Sequence, residues 1–361
     1  MDVAVLFGSL LLLIIIGMPI SLALCLSSTI TILLFETSTL LFQARSIVTA
    51  VSSFPLLAIP LFILAGDLMY TGGLSKRLVE MVDALLGNVK ASLAYVTVIA
   101  STFFAAISGS GPATVAAIGS NVIPEMEKRG YPKDYSTSLA AAAGIVGVMI
   151  PPSIPFVMYG ISAEQSVSTL FIAGIIPGAL FSLGFAIMAR ILYKRRKIEA
   201  KTQPFNLKNA LEKAKGAFWA ILAPVIVLGG IYGGIFSPTE AAAISVAYAL
   251  FIGLFIYKEL NWKSIVETFA RSTKTTATCM GLVAFASTFG RLLTLQQVPA
   301  KIAGFLLSIS DNKIVILLII NIFLIFVGMF METVASIIIL TPILLPVVIN
   351  VGVDPVLFGV I

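Results

Sequence analysis

Ser108-Gly-Ser-Gly-Pro-Ala-Thr114 is the stretch on which the fold turns. It is small and polar, and it separates two apolar segments, 92–107 and 115–124. Neither flank reaches the ~20 apolar residues that a spanning helix needs. A glycine- and proline-rich break at membrane depth leaves backbone amides and carbonyls without helical partners. Such a break persists only where protein or water covers it, or where an ion or ligand uses it. A re-entrant hairpin with its tip near the midplane meets both constraints.

The membrane assignment rests on composition. The 361 residues are 59% apolar and 11% charged, with a mean hydropathy of +1.07, whereas soluble domains carry about 25% charged residues. Long apolar segments recur from end to end, so the chain reads as an all-α polytopic membrane protein. The net charge of +6 does not point to nucleic acid, because the excess sits in loops where positive-inside bias accounts for it. There is no histidine. That removes histidine acid/base chemistry, haem ligation through histidine and the common zinc sites. Cys25 and Cys279 lie in apolar segments and read as packing residues, not as a disulfide. No Walker A sequence, metalloprotease motif or nucleophile–base pair is visible, so the chain does not read as an ATPase or an enzyme. Acidic residues are too sparse in the apolar segments for a proton relay. The N-terminus lacks a basic leader and reads as a first helix.

Outward from the opening stretch, residues 3–35 are apolar but interrupted at Gly17-Met18-Pro19, which gives two short helices with Pro19 starting the second. Residues 36–53 read as a polar connection, 54–70 as a span and 74–90 as an amphipathic interfacial helix. The first hairpin occupies 92–124, and 125–134 reads as a polar loop. Residues 136–162 form a crossing broken at Ile150-Pro-Pro-Ser-Ile-Pro155, since three prolines in five residues cannot sit in continuous helix. That second unwound element can meet the first tip. Residues 167–193 form an unbroken span. The loop 194–215 carries eight Lys/Arg against two Glu and marks the cytoplasmic side, and its basic run 194–197 reads as a topology signal and a contact with membrane lipid, not as a binding site. Two spans follow, 217–236 and 239–257, then a basic loop at 258–274 and a span at 276–292. Residues 297–310 read as interfacial and 313–350 as a second hairpin. Counting crossings from the 194–215 loop places the N-terminus outside.

The halves repeat. Ala113 with Ala335, Pro124 with Pro346 and Gly130 with Gly352 are each 222 residues apart, and the order of elements matches more strongly than these identities do. Because the halves start on opposite sides, the repeat is inverted, as in many secondary transporters. The expected organisation is a first repeat over 1–165, a connecting span and basic loop over 166–216, and an incomplete second repeat over 217–361. The partner of the broken helix would fall near 373–377, so the sequence reads as a fragment.

Chemistry concentrates at the breaks. The first tip offers the hydroxyls of Ser108 and Ser110, carbonyls freed by Gly109 and Gly111, and the N-terminus of a helix starting near Ala113. Hydroxyls and carbonyls suit a small hard cation such as Na⁺, while a helix N-terminus suits an anion. The second break offers the same parts, with Ser153 as its hydroxyl. The alternatives are a plain small-residue helix interface at 108–120 and an ordinary cap at Ser153. The second tip is Gly328-Met-Phe-Met-Glu-Thr-Val-Ala-Ser336. Glu332 there is a substrate contact, a cation ligand or a helix cap, and Thr333 is the better ligand by analogy with the first tip. An anionic substrate would meet helix N-termini and hydroxyls near both tips, at Ser110, Thr114, Ser153 and Thr333. Ser237-Pro-Thr-Glu240 reads as a capping box, which makes Glu240 structural.

With those residues in place, the chain resembles the large membrane subunit of the tripartite ATP-independent periplasmic (TRAP) transporters. The resemblance rests on Leu57-Ala-Ile-Pro-Leu-Phe-Ile-Leu-Ala-Gly66, on 108–114 and on 150–155. Ala173-Gly-Ile-Ile-Pro-Gly178, Ser237-Pro-Thr-Glu-Ala-Ala-Ala243 and the second tip add to it. It implies an elevator-type transporter fold in the bacterial inner membrane, working with a small four-helix membrane subunit and a periplasmic substrate-binding protein. It implies import of a carboxylate, such as a C4-dicarboxylate or sialic acid, driven by a Na⁺ gradient and with no other cofactor. By the same resemblance Ser108, Ser110, Gly111, Pro151 and Ser153 match a first Na⁺ site, and Gly328, Met331 and Thr333 match half of a second whose remainder would lie beyond Ile361. A stand-alone Na⁺-coupled carrier of the same fold is the alternative. A channel fits two broken helices in a repeat less well and would show large unitary currents.

Overall fold

The computed structural model describes residues 2–309, 312–329 and 331–361. Among the described residues every regular element is a helix. The chain begins α1 (Asp2–Ile15), α2 (Ile20–Phe35), α3 (Leu40–Val51) and, after a 3-10 turn at Phe54–Leu57, α4 (Ala58–Thr71). It continues α5 (Leu74–Leu86), α6 (Ser92–Ser108), α7 (Gly111–Lys128), α8 (Lys133–Gly144), α9 (Val146–Met149) and α10 (Ile154–Ser162). Then come α11 (Val167–Arg195), α12 (Leu207–Tyr232), α13 (Pro238–Phe251, continued by a π turn at Ile252–Ile256) and α14 (Trp262–Leu295). The last four are α15 (Val298–Ile309), α16 (Lys313–Gly328), α17 (Thr333–Asn350) and α18 (Pro355–Val360). Among the described residues six helical segments are long and apolar enough to cross a bilayer: Phe54–Thr71, Val167–Arg195, Leu207–Tyr232, Pro238–Ile256, Trp262–Leu295 and Thr333–Asn350. The broken pair Lys133–Met149 and Ile154–Ser162, bent by 41°, makes a seventh.

Three expectations change. Residues 36–53 are not a plain connection, because they contain α3. Its Gln43 and Ser46 face inward, and Gln43 Nε2 donates to Cys25 O at 3.1 Å. A helix that buries its polar residues does not look like one in a hydropathy pattern. The basic stretch 258–274 is not a loop beyond Trp262 but the start of α14, a continuous helix of 34 residues, about 51 Å long. Lys263, Glu267 and Arg271 form an exposed stripe four residues apart, while Thr268 and Ser272 are buried on another face. The loop after α11 is also shorter than 194–215, running only from Arg195 to Leu207.

The repeat is visible in the elements. α7 and α17 are both 18 residues long, and their first residues, Gly111 and Thr333, are 222 apart. Each is followed by a glycine of positive φ, Gly130 at 91° and Gly352 at 77°. The pair α3 and α4 of the first half answers to the unbroken α14 of the second. Pro19 takes the N-cap of α2. Both cysteines are free.

The helices sort into two compact units, each drawing on both halves of the chain. The first comprises residues 1–56, 155–170 and 274–361. In it Phe7 meets Phe289 edge-on at 5.6 Å, and Tyr159 Oη donates to Pro355 O at 2.6 Å. The second comprises residues 57–154 and 171–273 and holds the first hairpin. Its core packs Val82, Leu93, Val96, Phe104, Val122 and Tyr135 from α5 to α8. A neighbouring cluster joins Leu68, Leu78, Ala223 and Ala249 from α4, α5, α12 and α13. Polar contacts fix α4 to the start of α14: Ser272 Oγ donates to Asp67 Oδ2 at 2.6 Å and Thr268 Oγ1 to Thr71 Oγ1 at 3.2 Å. In an apolar solvent such interhelical hydrogen bonds hold helices that no hydrophobic force drives together.

At the open end of the first hairpin, Arg129 ties α7 to α5. Its Nη1 and Nη2 donate to both oxygens of Asp83, at 3.0 and 2.5 Å, and its Nε donates to Glu125 at 2.9 Å. Burial opposes the guanidinium's charge, but the hydrogen bonds to Asp83 and Glu125 outweigh it and raise its pKa. Arg129→Ala leaves Asp83 mostly buried without its partner, and breaking such a pair costs about 3–5 kcal/mol. Thermal unfolding in detergent should show a large drop in melting temperature for Arg129→Ala. Arg129→Lys, which cannot form the two-pronged bond, should fall between. Melting of Arg129→Ala within error of wild type would show that this contact does not hold the hairpin.

Candidate functional site

The two breaks of the first half lie against each other inside the second unit. α6 ends at Ser108, and Gly109 takes a left-handed φ of +61° that returns its N–H to Ala105 O. Glycine adopts that conformation without steric cost. A side chain there would also collide, since a Cβ would lie 2.5 Å from Pro152 O. Ser110 then caps α7, accepting from Ala113 N at 3.4 Å, and Pro112 sits in the first turn, where its missing N–H is harmless. The turn of the hairpin is therefore two residues long.

The broken helix supplies the other wall. α9 stops at Met149, and irregular backbone with a cis Pro151-Pro152 bond leads to α10. Ser153 Oγ donates to Val148 O at 2.5 Å, and Ile154 N donates to Gly109 O at 3.0 Å. The break thus closes partly on itself and partly on the first tip. Ser108, Thr114 and Ser153 are all 1% exposed or less. Thr114 Oγ1 donates to Ser110 O at 2.8 Å. Its contact with Ser108 Oγ at 3.1 Å must then have Ser108 as donor, because a hydroxyl carries one proton.

The first six expected site residues are therefore brought together. Ser108, Ser110, Gly111 and Thr114 lie on the hairpin, and Pro151 and Ser153 on the break. Two helix C-termini, those of α6 and of the Lys133–Met149 run, end beside the helix N-terminus of α7. C-terminal carbonyls and hydroxyls favour a small hard cation, and an N-terminus favours an anion. Among the described residues no group of three His, Cys, Asp or Glu is placed to hold a metal ion. A cation held here would have neutral oxygens as ligands, a donor set that fits Na⁺.

The second tip is arranged differently. Glu332 caps α17, its Oε2 accepting from Val334 N at 3.0 Å and Ala335 N at 3.2 Å. Of its three readings the cap has a visible bond. Gly328 and Thr333 are exposed and Met331 is half-buried. Phe330, at the centre of the tip, lies outside the described residues, as does Ser310 at the end of the interfacial segment. Glu332 also lines a cavity of about 490 Å³ with Ser21, Lys274, Thr278 and Cys279. Glu240 is the structural residue expected of a capping box: Ser237 N donates to its Oε2 at 2.8 Å, and its own N–H returns to Ser237 Oγ.

Three residues at the first site carry no role in the sequence reading: Gly147, Arg271, which counts there only as a loop charge, and Asp67, read as a residue near the interface at the end of the 54–70 span. Gly147 of α9 faces the tip so closely that a Cβ would lie 2.5 Å from Thr114 Oγ1 and 2.7 Å from Ser110 O. Asp67 and Arg271, an ion pair at 3.5 Å, line a cavity of about 280 Å³ with Gly66, Phe104, Ala113 and Ala116. Gly66 closes the 57–66 motif and Gly147 lies just beyond the small-residue run Ala140–Gly144, so both carried a signal. Arg271 was hidden among the loop charges because α14 was not seen to extend to it. Gly147→Ala pushes a methyl into the tip and should lower the melting temperature or the folded yield. Gly304→Ala, with open space around it, should do neither. Equal behaviour of the two variants in thermal unfolding would show that the tip has room that this packing denies.

A family model described as the tripartite ATP-independent periplasmic transporter, DctM component, matches residues 7–361. The isethionate TRAP transporter permease protein DctMQ of Oleidesulfovibrio alaskensis is 47% identical over 99% of this chain, which spans 56% of that relative's length. The C4-dicarboxylate TRAP transporter large permease protein DctM of Pseudomonas aeruginosa is 40% identical over 93% of this chain and 78% of its own. The sialic acid TRAP transporter large permease protein SiaM of Vibrio cholerae is 36% identical over 95% and 80%. Among solved structures, the YdaH transporter of Alcanivorax borkumensis superposes with a TM-score of 0.63 at 17% identity, over 89% of this chain and 75% of that one, a likeness of fold. Since the family model covers nearly every residue and relatives named as large permeases align along the same length, the chain belongs to the large permease (DctM) family of tripartite ATP-independent periplasmic transporters.

Proposed function

We propose that the chain serves as the large permease of a Na⁺-coupled importer of a small organic anion, a carboxylate of the C4-dicarboxylate or sialic acid type. The observation that carries this reading is the junction of the two breaks, where buried hydroxyls and helix C-terminal carbonyls face a helix N-terminus. Such a junction can bind a cation and an anion side by side, and each screens the other's charge. That mutual dependence is what couples a substrate to an ion gradient. In this reading Ser108, Ser110, Gly111, Pro151 and Ser153 hold one Na⁺, and Gly328, Met331 and Thr333 contribute to a second. Ser110, Thr114, Ser153 and Thr333 contact the anion. One relative is named for isethionate, a sulfonate, so a singly or doubly charged oxyanion head is the feature the substrates share.

The reading carries a wider arrangement with it. The protein sits in the bacterial inner membrane with its N-terminus outside, its two halves forming an inverted repeat. The hairpins and broken helix move together against the remaining helices in an elevator cycle. A small four-helix membrane subunit and a periplasmic binding protein complete the transporter. The names of the three relatives given above, each a TRAP transporter permease protein, support that partnership.

Uptake at graded Na⁺ concentrations tests the ion site. Ser108→Ala and Ser110→Ala each remove a hydroxyl worth about 1 kcal/mol as a ligand, so the Na⁺ concentration for half-maximal uptake should rise about fivefold. Glu240→Gln should lower stability and leave that concentration unchanged. An unchanged Na⁺ dependence in both serine variants would remove the first site from the mechanism.

A further inference from the structure

A cleft of about 830 Å³ lies at the end of α11, apart from the two breaks. Three separate pieces of chain build it: the turn between α5 and α6, the last turns of α11, and residues 197–202 that follow. Lys90, Arg190, Lys194, Lys197 and Lys201 line it, with Glu199 as the one acidic lining residue. Among the described residues none of the four lysines is held in an ion pair, whereas Arg196 of the same run is spent on Asp134 at 2.5 Å. Arg190 is positioned by its hydrogen bond to Tyr95 Oη at 3.2 Å.

The following segment is pinned in place and does not trail into water. Lys201 N donates to Arg129 O and Gln203 N to Gly87 O, both at 2.9 Å, and Ala200 N donates to Tyr193 Oη at 3.4 Å. A topology signal needs only charge on the correct side of the membrane. It needs no folded strap that brings Lys197 and Lys201 back over Lys90. The cleft lies where the spanning helix α11 leaves the apolar layer. One turn earlier along the same stripe, Ile187 and Ile191 are half exposed, at 52% and 51%, as residues three and four apart share a helix face. A basic cleft directly above an open apolar stripe matches a molecule with an anionic head and an acyl tail.

We infer that this cleft binds the phosphate headgroup of an anionic phospholipid, with its acyl chain laid along Ile187 and Ile191. Basic pockets at the ends of spanning helices recognise such headgroups by charge. A free phosphate satisfies the lysines but has no use for the apolar stripe, so the stripe selects the lipid.

Native mass spectrometry of the full-length polypeptide tests this, with phosphatidylcholine nanodiscs doped with cardiolipin or phosphatidylglycerol as the lipid source. The wild type should retain anionic lipid in preference to phosphatidylcholine. Lys90→Gln/Lys201→Gln, which leaves the 194–197 topology signal intact, should lose it about tenfold or more. Lys90→Arg/Lys201→Arg should keep it. Lys208→Gln/Lys215→Gln removes the same charge outside the cleft and should also keep it. Equal loss in the two glutamine variants would reduce the effect to diffuse surface charge and overturn the site. Displacement of the bound lipid by inorganic phosphate at micromolar concentration would instead make this a soluble-anion site and overturn the lipid assignment. No difference between the lysine variants and wild type would overturn it altogether.

Discussion

A bilayer offers no water to an unpaired peptide group, and each one left unsatisfied there costs several kcal/mol. The first half of this chain interrupts its helices twice within fifty residues, at 108–111 and at 150–153. What makes the interruptions tolerable is that they answer each other. Ile154 N donates to Gly109 O, Ser153 Oγ covers Val148 O and Thr114 Oγ1 covers Ser110 O. Gly109 and Gly147 are the positions at which this exchange requires backbone to touch backbone. The rest of the second unit can be understood as the frame for that contact. Arg129 clamps the open end of the hairpin to α5, and the polar pairs of Asp67 with Ser272 and Thr71 with Thr268 dock α4 to α14.

The same geometry that solves the hydrogen-bonding problem creates the chemistry. Breaking a helix exposes carbonyls on one side of the break and amides on the other, so two breaks side by side concentrate partial charges of both signs in a small volume. No formal charge is buried to achieve this, and the desolvation cost of a fixed carboxylate or lysine is avoided. A neutral site of that kind binds an ion and its counterion more readily together than apart.

Much of this was legible in the sequence. The hairpin, the broken helix, the paired helices at Pro19 and the capping box at Ser237 were each announced by glycine, proline or serine where apolar helix could not continue. The repeat was legible as an order of elements, and α7 and α17 later proved equal in length. What escaped was helix carried by polar and charged residues, whether they face inward or outward. Gln43 and Ser46 made α3 look like a loop, and the charged stripe of Lys263, Glu267 and Arg271 made the start of α14 look like one. For the same reason Asp67 and Arg271 were not placed beside the first tip. At the second tip the described geometry shows Glu332 as a helix cap and Gly328 and Thr333 exposed.

The account stands or falls on coupled transport. The decisive measurement is uptake into proteoliposomes holding the full-length polypeptide with the small membrane subunit proposed for it. A periplasmic binding protein loaded with radiolabelled dicarboxylate or sialate is added outside, with and without an inward Na⁺ gradient. Label should accumulate only when both the gradient and the binding protein are present. Equal uptake without Na⁺ would contradict coupled transport, because the paired breaks would then have no ion to bind.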